Sequence, residues 1–222
     1  MPIIATANPK GGAGKSTCSL ILGTILAREG ASVRIIDTDV QQTIGKWAQG
    51  NSRYKNIVRS VTEPRELVGV LDEEASRHQF VIIDVQGRAT ITMARAMSRA
   101  NLVLIPMQPK AADADEAATA VQLIREEEEA LRRQIDHYIV FMRTNPAIAT
   151  KEEKEIIDSM KKVGVPSLQS HINERTAFSR IIGMKCALDE LDQHIVNGVP
   201  AAIENAEAFS KEVVELILGV QK

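Results

Sequence analysis

Residues 8–17 read Asn-Pro-Lys-Gly-Gly-Ala-Gly-Lys-Ser-Thr, the densest run of chemistry in the chain. Three glycines in four positions (Gly11, Gly12 and Gly14) let the backbone bend tightly and turn its N–H groups inward, where larger side chains would obstruct an anion. An apolar run precedes the segment and a helical pattern follows it. Ala13, Gly14, Lys15, Ser16 and Thr17 therefore lead into a helix N-terminus, with its dipole and unsatisfied N–H donors. Lys15 supplies a mobile cation for the β- and γ-phosphates of a nucleotide, and the Ser16 hydroxyl is placed to ligate Mg²⁺. Two acidic segments complete the set. Residues 80–84 (FVIID) are an apolar run ending in Asp84, and residues 32–37 (SVRIID) end in Asp37, with Asp39 two positions on. Carboxylates at the carboxyl ends of strands, beside a phosphate loop, lie where open α/β sheets bind ligands. Asp84 is expected to hold Mg²⁺ through a water, and Asp37 to support the metal shell or Lys15.

The loop departs from the usual GxxxxGK(S/T) pattern: Pro9 takes the place of the first glycine, and an additional lysine, Lys10, comes early. The run KGGAGKST resembles the signature of the ParA/MinD group of deviant Walker P-loop ATPases. That resemblance implies ATP and Mg²⁺ as cofactors, held at Lys10, Gly11, Gly12, Ala13, Gly14, Lys15, Ser16 and Thr17. It also implies that Lys10 reaches the nucleotide of a partner subunit, hence a homodimer when ATP is bound. Asp37-Thr38-Asp39-Val40-Gln41 is similar to the group's DxDxQ element, whose second Asp positions the attacking water. The role falls to Asp39, and Val40 stands where most members have Pro. Gln86-Gly87 resembles the segment that senses the γ-phosphate, and Asn145, in Arg143-Thr144-Asn145-Pro146, matches the stretch that touches adenine. Trp47 and the Pro109…Asp113 element resemble small plasmid-partition ParA proteins of the ParF kind. Residues 173–178 are similar to ParA-like proteins of conjugative virulence plasmids.

Those residues need a scaffold that brings the loop and the acidic strand ends together. Residues 3–8, 32–37, 80–84, 101–106 and 138–143 are short, rich in Val and Ile, and apolar on both faces, as buried parallel strands should be. Residues 165–170 are expected to add a strand near an edge. Helical patterns fill 15–29, 64–77, 113–133, 151–163 and 200–218, with Pro64 suited to a first helical position. The alternation predicts a single α/β domain: a mostly parallel twisted sheet flanked by helices on both faces, in the P-loop NTPase fold, with no N-terminal winged-helix extension.

Composition narrows the function. The 222 residues carry 27 Lys and Arg against 29 Asp and Glu, a formal charge of −2, so any nucleic-acid contact must come from a local patch. Aromatics at 3% argue against a base-stacking single-strand binder. Cys18 and Cys186 form no CxxC pair, and the four histidines lack metal-ligand spacing. No signal peptide or membrane-length apolar run is present, so a cytoplasmic protein is expected, and the resemblance implies that it associates with the nucleoid. The resemblance implies an ATPase with weak intrinsic activity that binds duplex DNA nonspecifically and is stimulated by a ParB-like or other cargo-binding partner. Partition of a plasmid or chromosome is the leading function, and an accessory role in conjugative transfer the alternative. A membrane-bound positioning ATPase resembling MinD is less favoured, because the C-terminal pattern is acidic as often as basic. DNA contacts are sought at Arg175, Arg180 and Lys185, and at Lys151, Lys154, Lys161 and Lys162, though the run 151–155 also reads as a solvated helix face.

Overall fold

The computed structural model describes residues 1–87, 91–145, 150–162 and 164–219. Strands β1 (Ile3–Thr6), β2 (Val33–Asp37), β3 (Val58–Ser60), β4 (Phe80–Asp84), β5 (Leu102–Met107), β6 (Asp136–Thr144) and β7 (Ile172–Asn173) form a seven-stranded sheet in the order β3-β2-β4-β1-β5-β6-β7. All these pairings are parallel. Helices α1 (Lys15–Arg28), α2 (Thr43–Trp47), α3 (Pro64–Arg77), α4 (Ile91–Arg99), α5 (Ala111–Leu131), α6 (Lys151–Lys162), α7 (Thr176–Met184) and α8 (Val199–Ile217) flank it.

Side chains of a strand alternate between faces, so one sheet feeds two apolar cores. Ile4, Ile35, Ile82, Leu104 and Met142 pack with α1, α2, α7 and α8. Their neighbours Ile3, Ile36, Ile83, Ile105 and Phe141 pack with α3, α4 and α5, and Ile156, Ile157 and Met160 of α6 lie against that second core. The cations of α6 and α7 therefore belong to opposite sides of the sheet, and the fold does not join them into one patch.

Five expected strands and five expected helices form within a few residues of their predicted limits. The edge strand expected at 165–170 does not form. Pro166 has no N–H to give a ladder; its carbonyl accepts from Ile139 at 2.8 Å, and Leu168 donates back to the Ile139 carbonyl at 2.9 Å. The result is a single bridge, Ile139 with Ser167, and β7 forms further on. Strand β3 and helices α2, α4 and α7 lie outside the predicted set. The three residues of β3 and five of α2 are too short for a periodic signal. In α4 the buried stripe is Met93, Ala96 and Met97, helical in spacing yet only weakly apolar.

Helix α1, which the phosphate loop opens, lies hard against the sheet. A Cβ on Gly23 would stand 2.5 Å from Ile35 Cδ1 and 2.8 Å from its Cγ1, and Ile35 is wholly buried. The Gly23→Val substitution is expected to cost roughly 1–3 kcal/mol by overpacking. Calorimetry of the nucleotide-free protein should then show melting lowered by about 2–4 °C per kcal/mol. An unchanged transition would mean that α1 can move off β2.

Candidate functional site

The phosphate loop is pinned at both ends. Asn8, fully buried after β1, donates from Nδ2 to the Pro106 carbonyl at 2.8 Å and accepts the Lys10 N–H at 2.8 Å on Oδ1. An Asn that bonds two residues on makes a local turn of its own. At the other end, Gly14 has φ +102°, and a Cβ there would meet Met142 Cε at 2.9 Å, so only glycine fits. Gly14 gives α1 no side-chain cap, which leaves the first-turn N–H groups for an anion.

Lys15 is nearly buried and reaches back across the loop, its Nζ donating to the Lys10 carbonyl at 2.9 Å. Burial holds its ammonium below the ordinary lysine range, against the opposing pull of Asp84 and Asp39. Ser16 Oγ donates to Asp84 Oδ2 at 2.7 Å. Asp84 lies at the end of β4, and burial raises its carboxyl to about 7; Ser16 and Lys15 pull downward, while Asp37 and Asp39 push it up. Asp37 is also buried and raised, chiefly by desolvation. It accepts the Asp39 N–H at 3.0 Å and the Gly45 N–H at 2.8 Å, so it shapes the loop that carries Asp39 and ties down α2. Asp39 is partly exposed and accepts the Gln41 N–H at 2.8 Å.

A cavity of about 690 Å³ opens above these groups. Gly11, Gly12, Gly14, Lys15, Ser16 and Thr17 line one side, with Asp39, Gln86 and Gly87 also on its wall. A second cavity of about 330 Å³ shares Gly14, Thr17 and Arg143 with the first and is closed by Asn173, Glu174, Arg175 and Phe178. The shared wall makes them neighbouring parts of one cleft. Ala13 is buried beneath the loop. Asn145 is exposed and lies on neither cavity wall, and Pro146, next to it, lies outside the described residues. Lys10 pairs with the buried carboxylate of Asp113 in its own chain, and Asp113 also accepts the Gln108 N–H at 3.1 Å. Arg180 and Lys185 are exposed and Arg175 is half-buried.

The residues suit a magnesium ion that arrives with phosphate. Among the described residues no three His, Cys, Asp or Glu side chains converge to hold a metal. A cation here must complete its shell from phosphate oxygens and waters, the usual preference of Mg²⁺. Ser16 Oγ offers the direct ligand, and the surplus buried charge of Asp84 and Asp37 offers the electrostatic reason. Two positioning residues escaped the sequence reading. Thr38 donates to the Asp84 carbonyl at 2.9 Å and accepts the Gln86 N–H at 3.2 Å, tying the two acidic strand ends together. Asn8 carried a legible signal, an Asn directly after a strand and before a Gly-rich loop, whereas a threonine between two aspartates carries none.

The raised Asp84 carboxyl has a consequence for stability. Protonation favours the folded state, so its contribution is fully present below the unfolded value near 4 and is lost as pH rises through about 7. Asp84→Asn keeps an acceptor for Ser16 and removes the buried charge. Without nucleotide it should be more stable than the parent at pH 8 by roughly 1–4 kcal/mol, with the gap narrowing by pH 5 and closing near pH 4. Thermal melts across that range test this, and a gap independent of pH would refute it.

Comparison with known proteins agrees with this geometry. Residues 4–185 match the family model described as the CobQ/CobB/MinD/ParA nucleotide binding domain. The chain is 40% identical over 215 residues to the protein ParA of Rhizobium radiobacter, covering 96% of each chain. It is 25% identical over 186 residues to the protein virC1 of Rhizobium rhizogenes, covering 81% of this chain and 79% of that one. The fold superposes on the ATP complex of an McdA variant from Cyanothece with a TM-score of 0.76 at 17% identity, covering 100% of this chain and 98% of that one. A ParA-type phosphate loop, a parallel sheet that delivers two acidic strand ends to it, and these matches lead to one conclusion: the chain belongs to the CobQ/CobB/MinD/ParA family of nucleotide-binding domains.

Proposed function

We propose that the chain is an ATP-driven switch for DNA partition. Mg²⁺ and ATP close two copies into a sandwich homodimer, and the dimer rides nonspecific duplex DNA. A ParB-like or other cargo-binding partner then stimulates slow hydrolysis, which releases it. The observation that carries this reading is α7. One helix puts Ile182 on the wall of the phosphate cavity, Phe178 and Ser179 on the wall of the second, and Arg180 out in solvent, with Lys185 just past its end. A nucleotide filling the cleft bears on the same helix that offers cations to DNA.

In this reading the loop N–H groups of Gly11–Thr17 and Lys15 would hold the phosphates, and Ser16, backed by Asp84, would hold Mg²⁺. Bound Mg²⁺ supplies charge for the phosphate oxygens. Asp39 orients the attacking water, and Asp37 fixes the loop from which it acts. A lone carboxylate is a poor base for water near neutral pH, so turnover is slow until a partner completes the site. Lys10 reaches the other subunit's nucleotide only by giving up Asp113, so closure exchanges one anionic partner for another. In this reading the second cavity would receive adenine, and the contact expected of Asn145 requires that residue to turn toward a wall it does not form here.

Two rival readings fare less well. Asn173, Glu174, Arg175, Thr176 and Phe178 line the second cavity, so the likeness of 173–178 to the virulence-plasmid proteins follows the nucleotide rather than the cargo. An accessory role in conjugative transfer uses the same engine and differs in what it carries. For the membrane reading, α8 turns Ala202, Ala206, Phe209 and Val213 into the protein core, so that side is not free for lipid.

Asp39→Ala is expected to bind random-sequence duplex DNA with ATP and not with ADP. Its log affinity should fall with log salt by about 0.9 for each DNA phosphate neutralised. Arg180→Ala with Lys185→Ala should flatten that slope by about 0.9 for each phosphate no longer neutralised, while Lys151→Ala with Lys154→Ala leaves it unchanged. Fluorescence anisotropy across a salt series decides, and ATP-dependent dimers that ignore DNA at low salt would sink the partition mechanism. Lys15→Ala should lose nucleotide affinity by about 10²-fold or more, since a charge-assisted hydrogen bond in a desolvated site disappears. Isothermal titration with ATP checks this, and near-normal binding would overturn the role of Lys15.

A further inference from the structure

A groove of about 640 Å³ runs between α1 and α8. Its floor is apolar, built from Ile25 and Leu26 in the last turn of α1 and Ala208 and Val214 of α8. Glu204, Ala208, Lys211 and Glu215 recur at helical spacing along α8 and form one ridge, and the small Ala208 leaves the gap open. The rim is acidic. Glu29, Glu204, Glu207 and Glu215 stand along it; Lys211 pairs with Glu215 and Arg28 with Glu29 and Glu207, and four carboxylates against two cations leave a net charge of −2. Ser210, also on the wall, keeps a buried Oγ with no hydrogen-bond partner. These residues take no part in the nucleotide chemistry. Ile25 to Glu29 lie 10–14 positions along α1 from Lys15, about 15–20 Å at helical rise. The groove thus sits well away from the face through which Lys10 would meet a second subunit.

We propose that this groove docks an amphipathic helix of a partner protein, with apolar side chains on one stripe and Lys or Arg on its flanks. Two helical ridges with a channel between them accept a third helix by ridges-into-grooves packing. An apolar floor takes anchors at i, i+3, i+4 and i+7. The acidic rim selects a basic flank, steers its approach and disfavours acidic helices. Because α1 begins at the phosphate loop, a partner gripping its far end holds the element that carries Lys15 and Ser16.

The probe is a short fluorescein-labelled Leu/Lys peptide of amphipathic helical pattern, titrated into the full chain and read by anisotropy, beside a Gly/Lys peptide of equal charge. The Leu/Lys peptide should bind about tenfold more tightly than the Gly/Lys peptide. Glu204→Lys with Glu215→Lys should weaken it about tenfold, and Ala208→Phe, at an exposed position, about fivefold. Glu126→Lys with Glu129→Lys, the same charge change on α5, should alter it less than about twofold. Equal binding of the two peptides, or equal loss from the two charge reversals, would reduce the effect to general electrostatics and overturn the proposal. Sedimentation of peptide-free protein adds a further arm: a change of oligomeric state in Ala208→Phe would make a second copy the occupant and overturn the partner reading.

Discussion

Negative charge buried at the end of a parallel sheet governs this structure. Asp37 and Asp84 are almost wholly removed from water, one strand apart, with Lys15 as the nearby ammonium. Burying like charges side by side is costly, and one lysine, itself desolvated, does not cancel them. The arrangement persists because the surrounding backbone holds it. Gly45 and Asp39 donate to Asp37, Ser16 donates to Asp84, and Thr38 bridges the two strand-end loops. The unbalanced charge is what a divalent cation arriving with phosphate would relieve.

The sheet order follows from that need. With β1 between β4 and β5, and β2 beyond β4, the phosphate loop leaves the sheet beside both acidic strand ends. Parallel strands place their carboxyl ends on one edge, so the loop, Asp37 and Asp84 meet without any long excursion of chain. The close seating of α1 on β2 through Gly23 then fixes where Lys15 and Ser16 stand. The carboxylates that burial makes costly at this edge are the same ones that set its electrostatics.

Two elements extend the site outward. Helix α7 borders both cavities and carries an exposed cation, Arg180, within a few residues of their walls. Lys10, the residue that sets this loop apart from an ordinary phosphate loop, is engaged by Asp113 at the start of α5. The lone chain is therefore in an arrangement that must change before the lysine can serve another subunit. Both features depend on residues more than 90 positions apart in sequence.

Much of this was legible in the chain itself. The run from Lys10 to Thr17 implied an anion site because glycine spacing and a following helix act locally, and local backbone geometry follows local sequence. Strands such as FVIID announced themselves because burial on both faces demands an unbroken apolar run. What sequence could not supply is anything decided by contact across the sheet. The failure of 165–170 to form a strand, the short α2 and β3, the Thr38 bridge and the Lys10–Asp113 pair all arise from partners distant in the chain. The placement of α6 and α7 on opposite sides of the sheet is of the same kind, and it separated two sets of cations that composition alone would have pooled. Residue types and spacing determined which chemistry the chain can do. Tertiary packing decided which groups meet, because burial and electrostatics act through space and the sequence orders residues only along a line.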